Sequence, residues 1–296
     1  MSDGPSLVCV GNLTIDEAVA PSGQSVESVG GDALFAALAA RLAGGYPTIL
    51  APLGSDATPG LLAAVRTAGT DPDSLPRREL QMVRNVIRYD DTGGRVWDLV
   101  HGEEHFEALS VHPDDVTDDV LGASGVLLSA MALTAQLTLA GWLRARTDAT
   151  IYFDPQEDYI AGHQPALLDA VRACDVFMPS EVEALALSGG REPAAAAAAF
   201  LRLGPRVVVI KRAAAGCLVA TTDHPEPVEI PTDVVEPVDS TGAGDAFCGA
   251  FAAEHLRTAD VHAAAAAGAA AARIAVGGSG VSALLTAVTA TSGVRR

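Results

Sequence analysis

Basic residues are scarce in this chain: 19 Lys and Arg stand against 37 Asp and Glu, a formal net charge of −18 over 296 residues. No Lys/Arg-rich block offsets the acidic balance, which argues against nucleic acid or an anionic membrane surface as partner. A phosphate-bearing ligand then has to be held by local features, because the overall field repels it. Cysteine is sparse as well. Cys9, Cys174, Cys217 and Cys248 show neither C-x-x-C nor metal-ligand spacing and read as small core residues of a reducing compartment. The N-terminal "MSDGPSLVCVGN" lacks the basic region and apolar stretch of a signal peptide, so a cytoplasmic location is expected. Val120–Leu143 and Ile274–Val294 carry no Lys or Arg, but both are broken by Gly, Ser and Thr, and read as buried elements and not as membrane spans. Two phosphate-binding fingerprints are missing. No GxxxxGK[ST] string occurs, and a dinucleotide fingerprint fails at Phe247, where its third glycine should stand.

What is present is strand–helix alternation. "SLVCVG", "TILAPLG", "GVLLSA", "ATIYFDP", "CDVFMPS" and "RVVVIK" are short apolar runs of the kind found in buried parallel strands, and all but the last precede a helical pattern. The first helix, in "GGDALFAALAARLAGG", is expected to take Asp32 as N-cap and to stop at Gly44. The class is α/β: a central, mostly parallel sheet covered by helices on both faces. No repeat or linker divides the chain, so residues 1–296 are expected to form one domain. One stretch breaks the rhythm. Met82–Val100 holds two β-prone runs around Asp90–Gly94 and predicts a hairpin outside the main sheet, either an edge decoration or a lid over a ligand.

The chemistry concentrates in "VDSTGAGDAFCGAF", Val238 to Phe251. A Gly-rich turn that enters a helix leaves backbone N–H groups unpaired at the positive end of the helix dipole, which makes an anion site. Gly242, Ala243 and Gly244 let the backbone approach the anion closely. Asp245 beside them would repel a resting phosphate. It makes sense as the acceptor of a proton from an attacking hydroxyl while the amides stabilise a transferring group. Taken locally, a plain N-terminal cap is the competing reading of Asp245.

"DSTGAGDAFCGAF" resembles the C-terminal signature of the ribokinase-like (PfkB-type) carbohydrate kinases, and the resemblance runs through most of the chain. "VGNLTID" is similar to the family's first strand and substrate loop, "GGDALFAALAARLAG" to its N-terminal signature and "LGSDATPG" to its G-x-D-x-x-G turn. The resemblance implies a ribokinase-like fold with a small β-hairpin lid at about 82–100. It implies ATP-dependent transfer to an alcohol of a sugar or sugar-like molecule. Asp245 would be the base, and Gly242, Ala243 and Gly244 the anion hole. Asp16 would hold sugar hydroxyls beside Gly30 and Gly31. Lys211 and Gly216 would lie near the ATP phosphates, and Glu183 would order water around Mg2+. Asp239 and Thr241 match positions near a K+ site of some relatives, which Gly278 and Ser282 would complete. Lid-mediated homodimers occur in such kinases.

The sequence departs from the pattern at three places. Phe35 replaces a sugar-binding Asn, Ser180 the Asn of N-x-x-E, and Ala213 the middle Gly of K-x-G-x-x-G. Ser129 also stands where some sugar kinases place an acidic or amide contact. These departures point to an altered acceptor pocket. Arg84, Asn85, Arg88 and Trp97 of the hairpin are either surface pairs or acceptor contacts, and with Phe35 they suggest an acceptor bearing a ring or a charge. A nucleoside kinase of the same fold and a non-catalytic sugar- or nucleotide-binding relative are the alternatives.

Overall fold

The computed structural model of the chain describes residues 4–89 and 95–294. The strands are β1 (Ser6–Val10), β2 (Thr14–Val19), β3 (Ser25–Gly30), β4 (Tyr46–Leu50), β5 (Val83–Tyr89), β6 (Arg95–Leu99), β7 (Gly125–Leu128), β8 (Thr150–Phe153), β9 (Val176–Phe177), β10 (Val207–Lys211), β11 (Cys217–Thr221) and β12 (Val228–Ile230). The helices are α1 (Asp32–Leu42), α2 (Pro59–Ala68), α3 (Gly102–Ala108), α4 (Asp118–Leu121), α5 (Leu133–Arg144), α6 (Gln164–Arg172), α7 (Glu181–Leu187), α8 (Pro193–Leu201), α9 (Ala243–Thr258), α10 (Val261–Ala275) and α11 (Ser282–Val294). Among the described residues no helix is long and apolar enough to cross a membrane.

Eight strands form the main sheet in the order β12-β11-β10-β9-β8-β7-β1-β4. From β10 to β4 they run parallel, whereas β11 and β12 add an antiparallel edge that the alternation pattern does not reveal. Successive residues of β1 point to opposite faces, and both faces are buried. Leu7 and Cys9 enter the core under α1, α9 and α10, while Val8 and Val10 enter the core under α5, α6 and α8. This two-sided burial is why the strands read as continuous apolar runs. Small residues let α1 and α9 meet closely: a Cβ added at Gly249 would lie 2.0 Å from the Ala36 carbonyl oxygen.

The expected hairpin is real in its strands, with Asn85 opposite Leu99 and Ile87 opposite Trp97, and it does leave the main sheet. Its turn at Asp90–Gly94 lies outside the described residues. The hairpin is half of a larger unit, a four-stranded sheet in the order β3-β2-β5-β6. β2 pairs with β5 in parallel, with Asp16 opposite Asn85. Asp16 therefore sits inside a strand, where the sequence suggested a loop after a strand. Asp32 is a second correction. It is the first residue of α1 and makes no side-chain cap bond; the cap position belongs to Gly31, whose φ of 100° a side chain would resist.

Candidate active site

The parallel strands all end at the same edge of the sheet, which in such sheets is where ligands collect. Ser129 follows β7, Asp154 follows β8, Ser180 follows β9, and Lys211 is the last residue of β10. The N-terminus of α9 and one face of the smaller sheet close over this edge. Together they enclose a cavity of about 1210 Å3 whose lining includes Asp16, Asp32, Asp154, Glu183, Lys211 and Asp245.

The turn before α9 sits at the edge of the cavity. Gly242 is the cap residue, with φ 75°, and Gly242, Ala243, Gly244 and Asp245 line the cavity. Phe35 packs its ring flat against this turn, because a Cβ on Gly242 would fall 2.4 Å from three of its ring carbons. The residue that replaces the expected amide thus fills space beside the 242–244 turn and offers no hydrogen bond. Burial, followed by the charge of Asp154, pushes the Asp245 carboxyl up to about 7, against a smaller opposing pull from Lys211. A carboxylate that gains affinity for a proton near neutral pH is suited to take one from an alcohol.

Lys211 is the only lysine in the chain, and the structure gives it partners that the sequence reading lacked. Its Nζ lies 2.5 Å from Asp154 Oδ1 and 3.5 Å from Cys248 Sγ, and Cys248 donates to Asp154 Oδ2 at 3.2 Å. Burial alone would lower the lysine, but Asp154, with Cys248 and Glu183, outweighs it and holds the ammonium charged. The same ammonium stands 3.5 Å from where a Cβ on Gly244 would project, so it adjoins the 242–244 turn. Asp154 was missed because a lone Asp in "YFDP" has no local pattern. The available clue was its place at the end of a central strand. Asp32 was missed by being read as a cap; it lines the cavity, and burial followed by Asp245 raises its carboxyl well above the usual range.

At the other end, Asp16 is buried and accepts from Thr14 Oγ1 at 2.8 Å and from Asn85 Nδ2 at 2.7 Å. Burial raises it to about 6, with both hydrogen bonds opposing. Gly30 leaves room for that carboxylate, since a Cβ there would come within 2.7 Å of Asp16 Oδ2. Of the other hairpin residues, Trp97 lines the cavity. Arg84 is held by Asp56 at 3.0 Å, and Arg88 pairs with Asp98 at 3.5 Å on the outside. Neither arginine lines the cavity, so for these two the surface-pair reading holds, whereas Trp97 does line it.

Ser180 caps α7 reciprocally with Glu183: the hydroxyl accepts from the Glu183 N–H at 3.2 Å, and the Glu183 carboxylate accepts from the Ser180 N–H at 2.6 Å. The serine thereby orients Glu183, whose carboxyl burial lifts to about 7 against the pull of Lys211. Gly216 closes the turn after β10, where a Cβ would strike the Ile230 oxygen at 2.1 Å. Ala213 in the same turn has φ 46°, the strained conformation its departure from glycine implies. Ala213→Gly is expected to stabilise the protein by about 0.5–1 kcal/mol, after allowing for the extra freedom glycine gives the unfolded chain. A thermal melt checks this; an unchanged or lower Tm would show that the turn is not strained. In the region implied for a monovalent cation, Thr241 N–H donates to Asp239 Oδ1 at 2.9 Å, and the N–H groups of Val238 and Asp239 reach the Val276 oxygen. Those bonds tie the Asp239 segment to Val276, two residues before Gly278, which abuts Ser282. Among the described residues no three His, Cys, Asp or Glu side chains converge as a metal cage.

Residues 5–287 match the pfkB family of carbohydrate kinases. A cytidine kinase of Thermococcus kodakarensis is 29% identical over 255 residues, covering 85% of this chain and 88% of the relative. The adenosine kinase of Sinorhizobium meliloti superposes with a TM-score of 0.80 at 19% identity, over 98% of this chain and 100% of the other. A double mutant of Vibrio cholerae fructokinase, bound to fructose, ADP and potassium, gives a TM-score of 0.77 at 19% identity over 98% and 99%.

Proposed function

Because the chain belongs to the pfkB family of carbohydrate kinases and is an ATP-dependent kinase of a sugar or nucleoside, we propose that Asp245 is its base and the 242–244 turn its anion hole. The observation that carries this assignment is the position of Asp245 in the first turn of α9, with its carboxyl raised to about 7 and Gly242, Ala243 and Gly244 lining the same cavity. The acceptor hydroxyl gives its proton to Asp245 as its oxygen attacks the γ-phosphorus, and the bond to the ADP oxygen breaks. The amides of residues 242–244 and the Lys211 ammonium then stabilise charge on the transferring group. Asp16 accepts from acceptor hydroxyls, and its hydrogen bonds to Thr14 and Asn85 hold it in place. Gly30 and Gly31 let the acceptor reach it.

The carboxylates of the cavity outnumber its one lysine, and this donor chemistry fits Mg2+ held through water. Glu183 and Asp154 are the residues proposed to order that water. When bound with ATP, the ion supplies neutralisation of phosphate charge. The Asp239, Thr241, Gly278 and Ser282 region is proposed for K+, as its adjacency to the α9 turn supports. A single body over residues 1–296 that works in the cytoplasm, with the smaller sheet as lid and a dimer surface, completes the proposal.

The test is ADP release from Mg-ATP across sugars and nucleosides, with and without K+. One acceptor class is expected to raise turnover; ATP binding with no acceptor-dependent turnover would favour the binding-protein alternative. A second expectation concerns pH. Only ionised Asp245 accepts the proton, so kcat/KM for the acceptor should fall about tenfold per pH unit below a midpoint near 7. A rate that is flat from pH 5.5 to 8 would remove Asp245 from the base role.

A further inference from the structure

The acceptor end of the cavity differs in character from its phosphate end. Asp16 lies opposite Asn85, and Asn85 opposite Leu99, so the hydroxyl-binding carboxylate and Leu99 share one face of the smaller sheet. Trp97 is one two-residue step further on that face, about 7 Å along the strand. It is 43% exposed and lines the same cavity, as does Phe106 of α3. The length of this step suits a ribose continued by a base, and it carries the wall beyond the reach of a single sugar ring held at Asp16. Glu103, one helical turn before Phe106 and on the same face of α3, also lines the cavity. The Tyr159 hydroxyl donates to Glu103 Oε2 at 2.6 Å, a contact exposed to solvent.

We propose that the acceptor is a nucleoside whose base carries an exocyclic amino group, with Trp97 and Phe106 flanking the base and Glu103 accepting a hydrogen bond from that group. This inference rests on the kinase reading of the same cavity. An ionised carboxylate offers only acceptors, so the base edge it meets has to donate. The amino group of cytosine or adenine donates there. The oxo group of uracil or hypoxanthine presents a lone pair to a negative charge, which disfavours it at this position. The lining around Asp16, Asn85, Trp97 and Glu103 contains no Lys or Arg, which disfavours sugar acids and sugar phosphates. The cationic groups of the cavity stand elsewhere and are engaged: Lys211 with Asp154, Arg212 with Glu181 and Glu229, and Arg273 with Asp233.

The experiment measures ADP release from Mg-ATP with cytidine, uridine, adenosine, inosine, ribose and fructose, in wild type, Glu103→Gln, Tyr159→Phe and Asp245→Asn. In wild type, kcat/KM for cytidine or adenosine should exceed that for its oxo counterpart by about tenfold or more, and ribose and fructose should be poorer still. Glu103→Gln should bring the amino-to-oxo ratio towards one, mainly through KM, and Tyr159→Phe should move it part of the way. A sugar as best acceptor, equal use of amino and oxo bases, or an unchanged ratio in Glu103→Gln would overturn the inference. Sugar-dependent turnover that Asp245→Asn abolishes would overturn it while leaving the kinase reading intact. ADP release that none of the acceptors raises would overturn both.

Discussion

Asp245→Asn should lower kcat by about 10^3-fold or more and leave the affinity for Mg-ATP within a few fold. The amide keeps the size of the carboxylate but cannot take the hydroxyl's proton, so the loss appears in turnover. A stability measurement separates this from damage to the fold. The Asp245 carboxyl moves from 3.8 to about 7 on folding, so between those values the folded protein holds a proton that the unfolded chain has lost. Its contribution to stability is therefore present below about pH 4 and lost as pH rises towards 7. Asparagine carries no charge to lose. The ligand-free variant should melt higher than wild type at pH 8, by roughly 2–5 °C, and the difference should shrink towards pH 5. A variant that turns over at the wild-type rate would end the base assignment, whatever its Tm.

Lys211→Met should have the second largest effect, on stability and turnover together. Lys211 and Asp154 are both largely buried, with side-chain exposures of 14% and 6%. Removing the ammonium leaves Asp154, Asp245 and Glu183 in one cavity without the cation they share. Breaking such a buried pair costs about 3–5 kcal/mol. The cost should be greatest at alkaline pH and relieved on acidification, because the carboxylates can then protonate. Lys211 now pulls the Asp245 and Glu183 carboxyls down. The pH midpoint of residual activity should therefore move above its wild-type position. Lys211→Arg should recover little, since a planar guanidinium is larger than the ammonium packed beside Gly244 and Cys248. A Lys211→Met protein with wild-type Tm and an unmoved midpoint would show that the ion pair does not set the electrostatics of the site.

The parts legible in the sequence were those whose physics is local. A Gly-rich turn entering a helix shows in a few residues, and two-sided burial writes the parallel strands as apolar runs. β2 and β3 were hidden because "TIDEAV" and "SVESVG" mix acidic residues with apolar ones and carry no clean alternation. Their sheet therefore looked like a hairpin alone. Asp154 and Lys211 are 57 residues apart and meet only because β8, β9 and β10 are neighbours in the main sheet. No spacing rule could pair them, although the single lysine among so many arginines was visible in the composition. Asp32 was misread for a similar reason. Its residue type favours a cap, but the chain reaches α1 through a glycine at positive φ, and the carboxylate is left to face the cavity. Arg84 and Arg88 were ambiguous until their partners Asp56 and Asp98 were located.

The most direct test of phosphoryl transfer to an alcohol at Asp245 is to measure ADP and inorganic phosphate together, with Mg-ATP and the best acceptor, in wild type and Asp245→Asn. ADP should rise with acceptor in wild type, matched by phosphorylated acceptor and not by free phosphate, and the variant should form neither product at an appreciable rate. ADP and free phosphate released in equal amounts, independent of acceptor and unaffected by Asp245→Asn, would contradict both the reaction and the residue assigned to it.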